Sequence, residues 1–301
     1  MTENAIAWLL DGDISIQYMT HLYLLGSGQD VLQPLQGRIS SEGFGSRFLS
    51  CRNESGHWGR HYYQPKWTST HYTLLDLYEL YIAQDCPACR GMVLRAFDEC
   101  MDEDGSVNFA KTKLPPDICI NGMVLCYAAY FCADEPRLTR LVDFLLSVRL
   151  PDGGYTWDWE SQAGDAHTTI CVLEGFAEYL KASMAHRRDE VQSAISEGIE
   201  FLFRNGLFMA DADVRYKKLS YPYRYRYDVL RALDFFAKAN ILYDDRMAPA
   251  LQWLKSKRKA DGLWYLENMH RGNVHFDMEE VRKPSRFLTL KALNVLRQYE
   301  R

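Results

Sequence analysis

Apolar residues along this chain recur at three- and four-residue spacing in twelve stretches, and nowhere in the strict alternation of a strand. The first set predicts helices over 4–10, 30–51, 87–101, 136–149, 187–204 and 246–258. The second predicts them over 14–25, 68–83, 118–133, 166–181, 224–237 and 285–299. Start signals agree: Pro87 and Pro136 stand at first-turn positions, and Ser285 follows Pro284 as a cap. The second set is the more apolar, as in Leu125-Cys126-Tyr127-Ala128-Ala129-Tyr130-Phe131. It should be buried on most sides, while the first set keeps a charged face.

Between the members of each pair lies a turn that repeats. Asp11-Gly12, Ser55-Gly56, Asp104-Gly105, Asp152-Gly153, Asn205-Gly206 and Asp261-Gly262 put a small polar residue before glycine, at intervals of 44, 49, 48, 53 and 56 residues. Trp58, Tyr155, Phe208 and Trp264 stand two residues after four of those glycines. A period of that size means stacked helical hairpins, none of which buries its apolar face alone. We expect an all-α fold and one domain over 1–301, with six hairpins closed into an α6/α6 toroid. An open solenoid is the alternative, and the short first helix favours closure by covering the last inner one. In a ring the inner helices run parallel, so their N-termini share one rim whose dipoles favour anions.

The Gly-x-aromatic turns of Asp152-Gly153-Gly154-Tyr155 and Asp261-Gly262-Leu263-Trp264 resemble the prenyltransferase/squalene-oxidase repeats of the terpenoid-cyclase toroids. That superfamily includes squalene–hopene cyclases and protein prenyltransferase β subunits, and the resemblance covers nearly the whole chain. Segments 65–70 and 275–280 further resemble single-domain bacterial toroids of no settled activity. The resemblance implies an enzyme acting on an apolar or isoprenoid-like substrate.

Candidate chemistry sits where inner helices begin. Asp117 and Cys119 open the third and His167 opens the fourth, and carboxylate, thiolate and imidazole are good Zn²⁺ ligands. Protein prenyltransferase β subunits bind catalytic zinc through a similar Asp-x-Cys and a His on the next inner helix. Carried over, the resemblance makes Asp117, Cys119 and His167 the zinc ligands. The match departs from that family at Leu114 and Ile120, where a basic residue and a tyrosine are expected, while Lys111 fits. The ordinary reading of the three is a helix cap, a small core thiol and a packed histidine. No Asp-x-Asp-Asp motif is present for cyclisation by protonation.

Lys66, Trp67 and His71 open the second inner helix, Tyr223 and Arg224 the fifth, and Arg286 the sixth. With Tyr127 and Trp157 they would form aromatic walls and cations around a substrate with an anionic head. The long 263–284 connection has little helical pattern and would act as a lid. It carries His275 and Asp277, which with Asp165 are candidate catalytic groups. Cys86 and Cys89 have the spacing of a redox or metal pair at an outer-helix start.

The composition, 47% hydrophobic, 25% charged and 13% aromatic, is that of a soluble globular protein. A net charge of −5 offers no basic stripe for nucleic acid, and no stretch reaches the length of a transmembrane span. The N-terminus carries no secretory pattern, and eight scattered cysteines suit a reducing cytoplasm. The expectation is a cytoplasmic, zinc-dependent, prenyltransferase-like or terpenoid-cyclase-like enzyme with an aromatic central cavity, and a protein partner at the rim is allowed. Two alternatives stay open: a non-catalytic toroid that binds a lipid-like or peptide ligand, and a carbohydrate-cleaving α6/α6 enzyme using paired carboxylates.

Overall fold

The computed structural model describes residues 3–110, 114–182 and 184–300. Lys111 lies outside them. Thirteen α-helices and no strand occur among the described residues. An outer set comprises α1 (Glu3–Leu10), α4 (Gly43–Ser50), α6 (Pro87–Cys100), α8 (Leu138–Ser147), α10 (Arg188–Arg204) and α12 (Ala248–Ser256). The inner set comprises α2 (Ile14–Thr20), α5 (Thr70–Glu79), α7 (Ile118–Phe131), α9 (Ala166–Lys181), α11 (Val229–Lys238) and α13 (Arg286–Tyr299). One further helix, α3 (Gln29–Arg38), lies between α2 and α4. Every residue of α7 is buried, whereas α8 buries one face through Leu138, Leu141, Val142, Phe144 and Leu145.

The ring closes. Helix α13 packs on α2, Arg286 Nε donates to Trp8 O at 3.1 Å, and an Arg297 guanidinium nitrogen donates to Leu24 O at 2.9 Å. The fold is therefore an α6/α6 toroid rather than an open solenoid. The start of α5, α7 and α9 lies at one rim, while Glu79, Lys181 and Lys238, which end α5, α9 and α11, line a pocket at the other.

Two helix boundaries differ from the pattern. The segment 30–51 is two helices, because the chain breaks at Gly43, where φ is +61°. There the Asp13 carboxylate both caps α2, through Ser15 N, and accepts from Phe44 N. The fifth inner helix starts at Val229, not at Arg224, whose φ of +53° is left-handed. Asp228 caps it by accepting from Arg231 N at 2.9 Å.

The repeated turn has one structure in four repeats. Gly56, Gly105, Gly153 and Gly262 have φ between 81° and 90° and each donates N–H to the carbonyl three residues back. At Gly153 a Cβ would also fall 2.8 Å from Glu197 O on the next outer helix. Two residues further on, the backbone is held by a side chain of the following inner helix. Trp58 N donates to Thr70 Oγ1 at 3.1 Å, Val107 N to Asn121 Oδ1 at 2.7 Å, Tyr155 N to Thr169 Oγ1 at 2.9 Å and Trp264 N to Thr289 Oγ1 at 3.0 Å. The same side chains donate back to the carbonyls of those four residues. Each pin satisfies a buried donor and acceptor that no helix or sheet ladder would satisfy. The first and fifth repeats depart from it. Around Gly206 three consecutive residues take positive φ, and Tyr227 donates instead to Leu207 O at 2.8 Å.

Alongside aromatic clusters, paired charges join the inner helices. Arg231 on α11 is paired twice with Glu174 on α9, at 2.9 and 2.5 Å. Lys291 on α13 reaches Asp234 at 2.8 Å and Glu79 at 3.5 Å, and Lys238 also meets Asp234 at 3.0 Å. Tyr78 on α5 donates to Glu178 on α9 at 3.1 Å. Burial pushes the Asp234 carboxyl up, but Lys238 and Lys291 outweigh it and hold the group below its usual value. Such pairs stabilise little relative to an apolar core, yet removing one partner is costly because it strands the other.

Thr169→Val keeps shape and removes one pin, leaving the buried Tyr155 N–H unpaired. A loss of about 1–3 kcal/mol in urea unfolding is expected, with Thr169→Ser close to wild type. Equal midpoints for the two variants would show that the pin carries no stability.

Candidate functional site

A cleft of about 220 Å³ opens at the rim where α5, α7 and α9 begin. Asp117 caps α7 by accepting from Ile120 N at 3.2 Å, and Cys119 is the second residue of that helix. His167 is the second residue of α9, whose cap Asp165 accepts from Thr168 N at 2.8 Å and from Thr168 Oγ1 at 2.7 Å. Tyr63, Lys66, Tyr72 and Tyr225 bring an aromatic wall and a cation, Ile120 and Met123 an apolar floor, and Trp157 an exposed lip. The Lys66 ammonium lies 4.9 Å from the Trp67 ring centroid and 4.7 Å from that of Tyr225. No carboxylate lies within ion-pairing distance of it among the described residues.

Asp117, Cys119 and His167 thus share one cleft, as the sequence predicts, but they are not arranged as a ligand set. Among the described residues no group of three or more His, Cys, Asp and Glu side chains is placed to hold a metal ion. Each of the three is committed elsewhere. His167 Nδ1 accepts from Tyr227 N at 2.8 Å. Burial also pushes its pKa down to about 4, so the ring is neutral and its remaining proton sits on Nε2. Neither nitrogen then offers a free lone pair. The Cys119 thiol donates to Cys171 Sγ at 3.6 Å, a contact that together with burial holds it well above the ordinary thiol range. Burial raises the Asp117 carboxyl too, against the Ile120 and Cys119 amides and the Lys66 charge.

The other predicted residues divide by place. Trp67 lies behind the cleft wall, its ring 4.3 Å from His270 and 4.8 Å from the Arg224 guanidinium, with Nε1 donating to Arg271 O at 2.6 Å. His71 and Tyr127 are buried partners 3.2 Å apart between α5 and α7, outside the cleft. Tyr223 and Arg224 are in the ring centre, where Lys291 sits 4.8 Å over the Tyr223 ring and Arg224 meets Asp76 at 3.3 Å. Arg286 is on the closing seam, over the Trp8 ring at 4.5 Å, and does not reach the cleft.

The 263–284 connection is fastened rather than free to swing. His275 Nε2 is bonded to Thr73 Oγ1 at 3.0 Å, His270 Nε2 donates to Tyr223 O at 3.1 Å, and Phe276 packs 4.5 Å from Phe48. Asp277 is exposed and lines a separate, nearly filled pocket with His275 and Glu279. Asp165, His275 and Asp277 therefore do not converge. Glu279 caps the start of α13 by accepting from Phe287 N at 3.1 Å. The cleft residues that sequence reasoning passed over include Tyr63, Tyr72 and Met123. Tyr63 lies in a loop without periodicity, and the other two sit inside helices that read as plain core.

No protein-family model matches the chain, and no curated protein matches it. Solved structures do. A protein from Actinoplanes is similar over 98% of this chain and 97% of its own, at 15% identity and a TM-score of 0.50. The type II terpene cyclase MstE from Scytonema, in complex with merosterolic acid A, is similar over 98% and 94%, at 16% identity and a TM-score of 0.47. The same enzyme in complex with geranylgeranyl dihydroxybenzoate gives 98% and 95%, 17% identity and a TM-score of 0.46. These likenesses are of fold. No helix among the described residues is long and apolar enough to cross a membrane.

Burial raises the Glu279 carboxyl from 4.5 to about 7, outweighing the Ser285 hydroxyl, the Phe287 and Arg286 amides and the Arg286 charge. The folded chain thus keeps a proton that the unfolded chain releases near pH 4.5. The stability linked to it is full below that pH and lost as pH rises to 7. Glu279→Gln should therefore gain on the wild type by ~2–3 kcal/mol between pH 4.5 and pH 8 in urea unfolding. A pH-independent difference would show that Glu279 titrates alike in both states.

Proposed function

We propose that this toroid binds a small ligand with a flat apolar body and an anionic group in the cleft at the N-terminal rim. The observation that carries this reading is Lys66, a cation without a carboxylate partner among the described residues, set over aromatic rings at the cleft wall. Its position beside the positive ends of α7 and α9 adds to the attraction for an anion. Tyr63, Tyr72, Tyr225 and Met123 would cover the apolar body, and the exposed Trp157 would close over it. A volume of about 220 Å³ lies below the range of roughly 300–1,000 Å³ usual for drug-sized ligands, so the ligand, or the part of it enclosed, is small.

Within the expected classes, the cleft favours the binding toroid. The charged pairs of Arg231 with Glu174 and of Lys291 with Asp234 and Glu79 between the inner helices are a poor lining for a long isoprenoid chain. No step is assigned to zinc, because His167 presents no free lone pair to the cleft and Cys119 is turned to Cys171. Paired carboxylate chemistry has no support either, since Asp165 is a helix cap and Asp277 lies elsewhere.

Titration with naphthalene-2-sulfonate, followed by tryptophan fluorescence, tests the reading, with neutral 2-naphthol as control. The anion should bind the wild type and lose about tenfold in affinity in Lys66→Met, the effect of one charge-assisted contact worth ~1.4 kcal/mol. The neutral compound should bind both proteins equally. Equal anion binding by wild type and Lys66→Met would remove the basis of the proposal.

A further inference from the structure

Helices α7 and α9 approach more closely than ordinary side chains permit. A Cβ at Gly122 would fall 2.7 Å from the carbonyl carbon of Cys171, and one at Gly175 would fall 2.5 Å from Gly122 O. Backbone contact at these two glycines draws the neighbouring side chains together, and two of them are thiols. Cys119 Sγ and Cys171 Sγ are 3.6 Å apart, both free and both buried from bulk solvent. Cys119 nevertheless forms part of the cleft wall, so it is reached through the cleft. On its far side Cys171 Sγ lies 3.4 Å from an Arg231 guanidinium nitrogen that Glu174 holds in place.

We infer that Cys119 and Cys171 form a dithiol that a small hydroperoxide entering the cleft converts to an intramolecular disulfide. Cys119 sulfur, releasing its thiol proton, attacks the peroxide O–O bond. It takes one oxygen to become a sulfenic acid, while the other oxygen leaves with a proton as water or an alcohol. Cys171 sulfur then attacks Cys119 sulfur, and the sulfenic oxygen leaves with the second thiol proton as water. Two thiols are oxidised by two electrons, and one hydroperoxide is reduced by the same two. The glycine contact holds the two backbones side by side. Cys86 and Cys89 are also neighbours, but they stand at the start of the outer helix α6 and do not line the cleft. The inference does not depend on what the cleft binds.

Exposure of the native protein to hydrogen peroxide, followed by denaturation, alkylation of remaining thiols and peptide mass mapping, tests it. The expected result is the loss of two alkylatable thiols and a cross-linked peptide pair joining Cys119 to Cys171. In Cys171→Ala, Cys119 should instead stop at a sulfenic acid trapped by dimedone. Recovery of both thiols fully alkylated after peroxide overturns the inference. So does a bridge found at Cys86–Cys89 alone, or oxidation of Cys119 beyond sulfenic acid in the wild type without any bridge. Because the wild-type map needs no substitution, a folding defect in the variant leaves the result decisive. Failure of naphthalene-2-sulfonate to bind would leave this mapping unaffected.

Discussion

The constraint on which the rest depends is that six inner helices run the same way around a closed ring. Parallel neighbours place like dipole ends together, so one rim is positive, the other negative, and no antiparallel partner cancels either. At the positive rim the chain sets caps, in Asp117 and Asp165, and leaves Lys66 over aromatic rings. Toward the negative rim it sets Lys181 and Lys238 against acids one turn back on their own helices, and Lys291 against Asp234 on the neighbouring one. The cleft and the charged centre are thus two responses to one geometric fact.

Much of this was legible in the chain. The apolar period gave the pairs of helices, and for α9 the bounds agree to the residue, because Asp165 caps the start and the last turn ends at Lys181. The break at Gly43 was not legible, since it depends on Asp13, thirty residues away in sequence. The gathering of Asp117, Cys119 and His167 at one rim followed from repeat position alone. What they do there did not, because it turns on two contacts with no sequence signature: the Tyr227 amide to His167 and the Cys171 sulfur to Cys119. The charged centre was missed for a related reason. Asp76, Glu79, Asp234 and Lys291 sit singly in apolar helices, and isolated charges in a helical pattern read as a solvated face until the ring brings them inward.

Aromatic residues do two different jobs. Trp58, Tyr155 and Trp264 are fully buried and lock each turn under its hairpin. Trp67, Tyr225 and His270 instead stack into a plug between the cleft and the ring centre, held by the 263–284 connection through Arg271 and His270. The connection is fastened at this plug, with Trp67 Nε1 donating to Arg271 O and His270 Nε2 to Tyr223 O.

The pins carry a consequence for how such a chain changes over time. Each joins a turn to the helix that follows it, and the bonded residues are 12, 14, 14 and 25 positions apart. The same bond is made whatever lies between. Loop growth at the positive rim therefore transmits no strain to the ring, and its entropic cost rises only slowly with length. New sequence can be tried there, beside the cleft, while the architecture stays as it is.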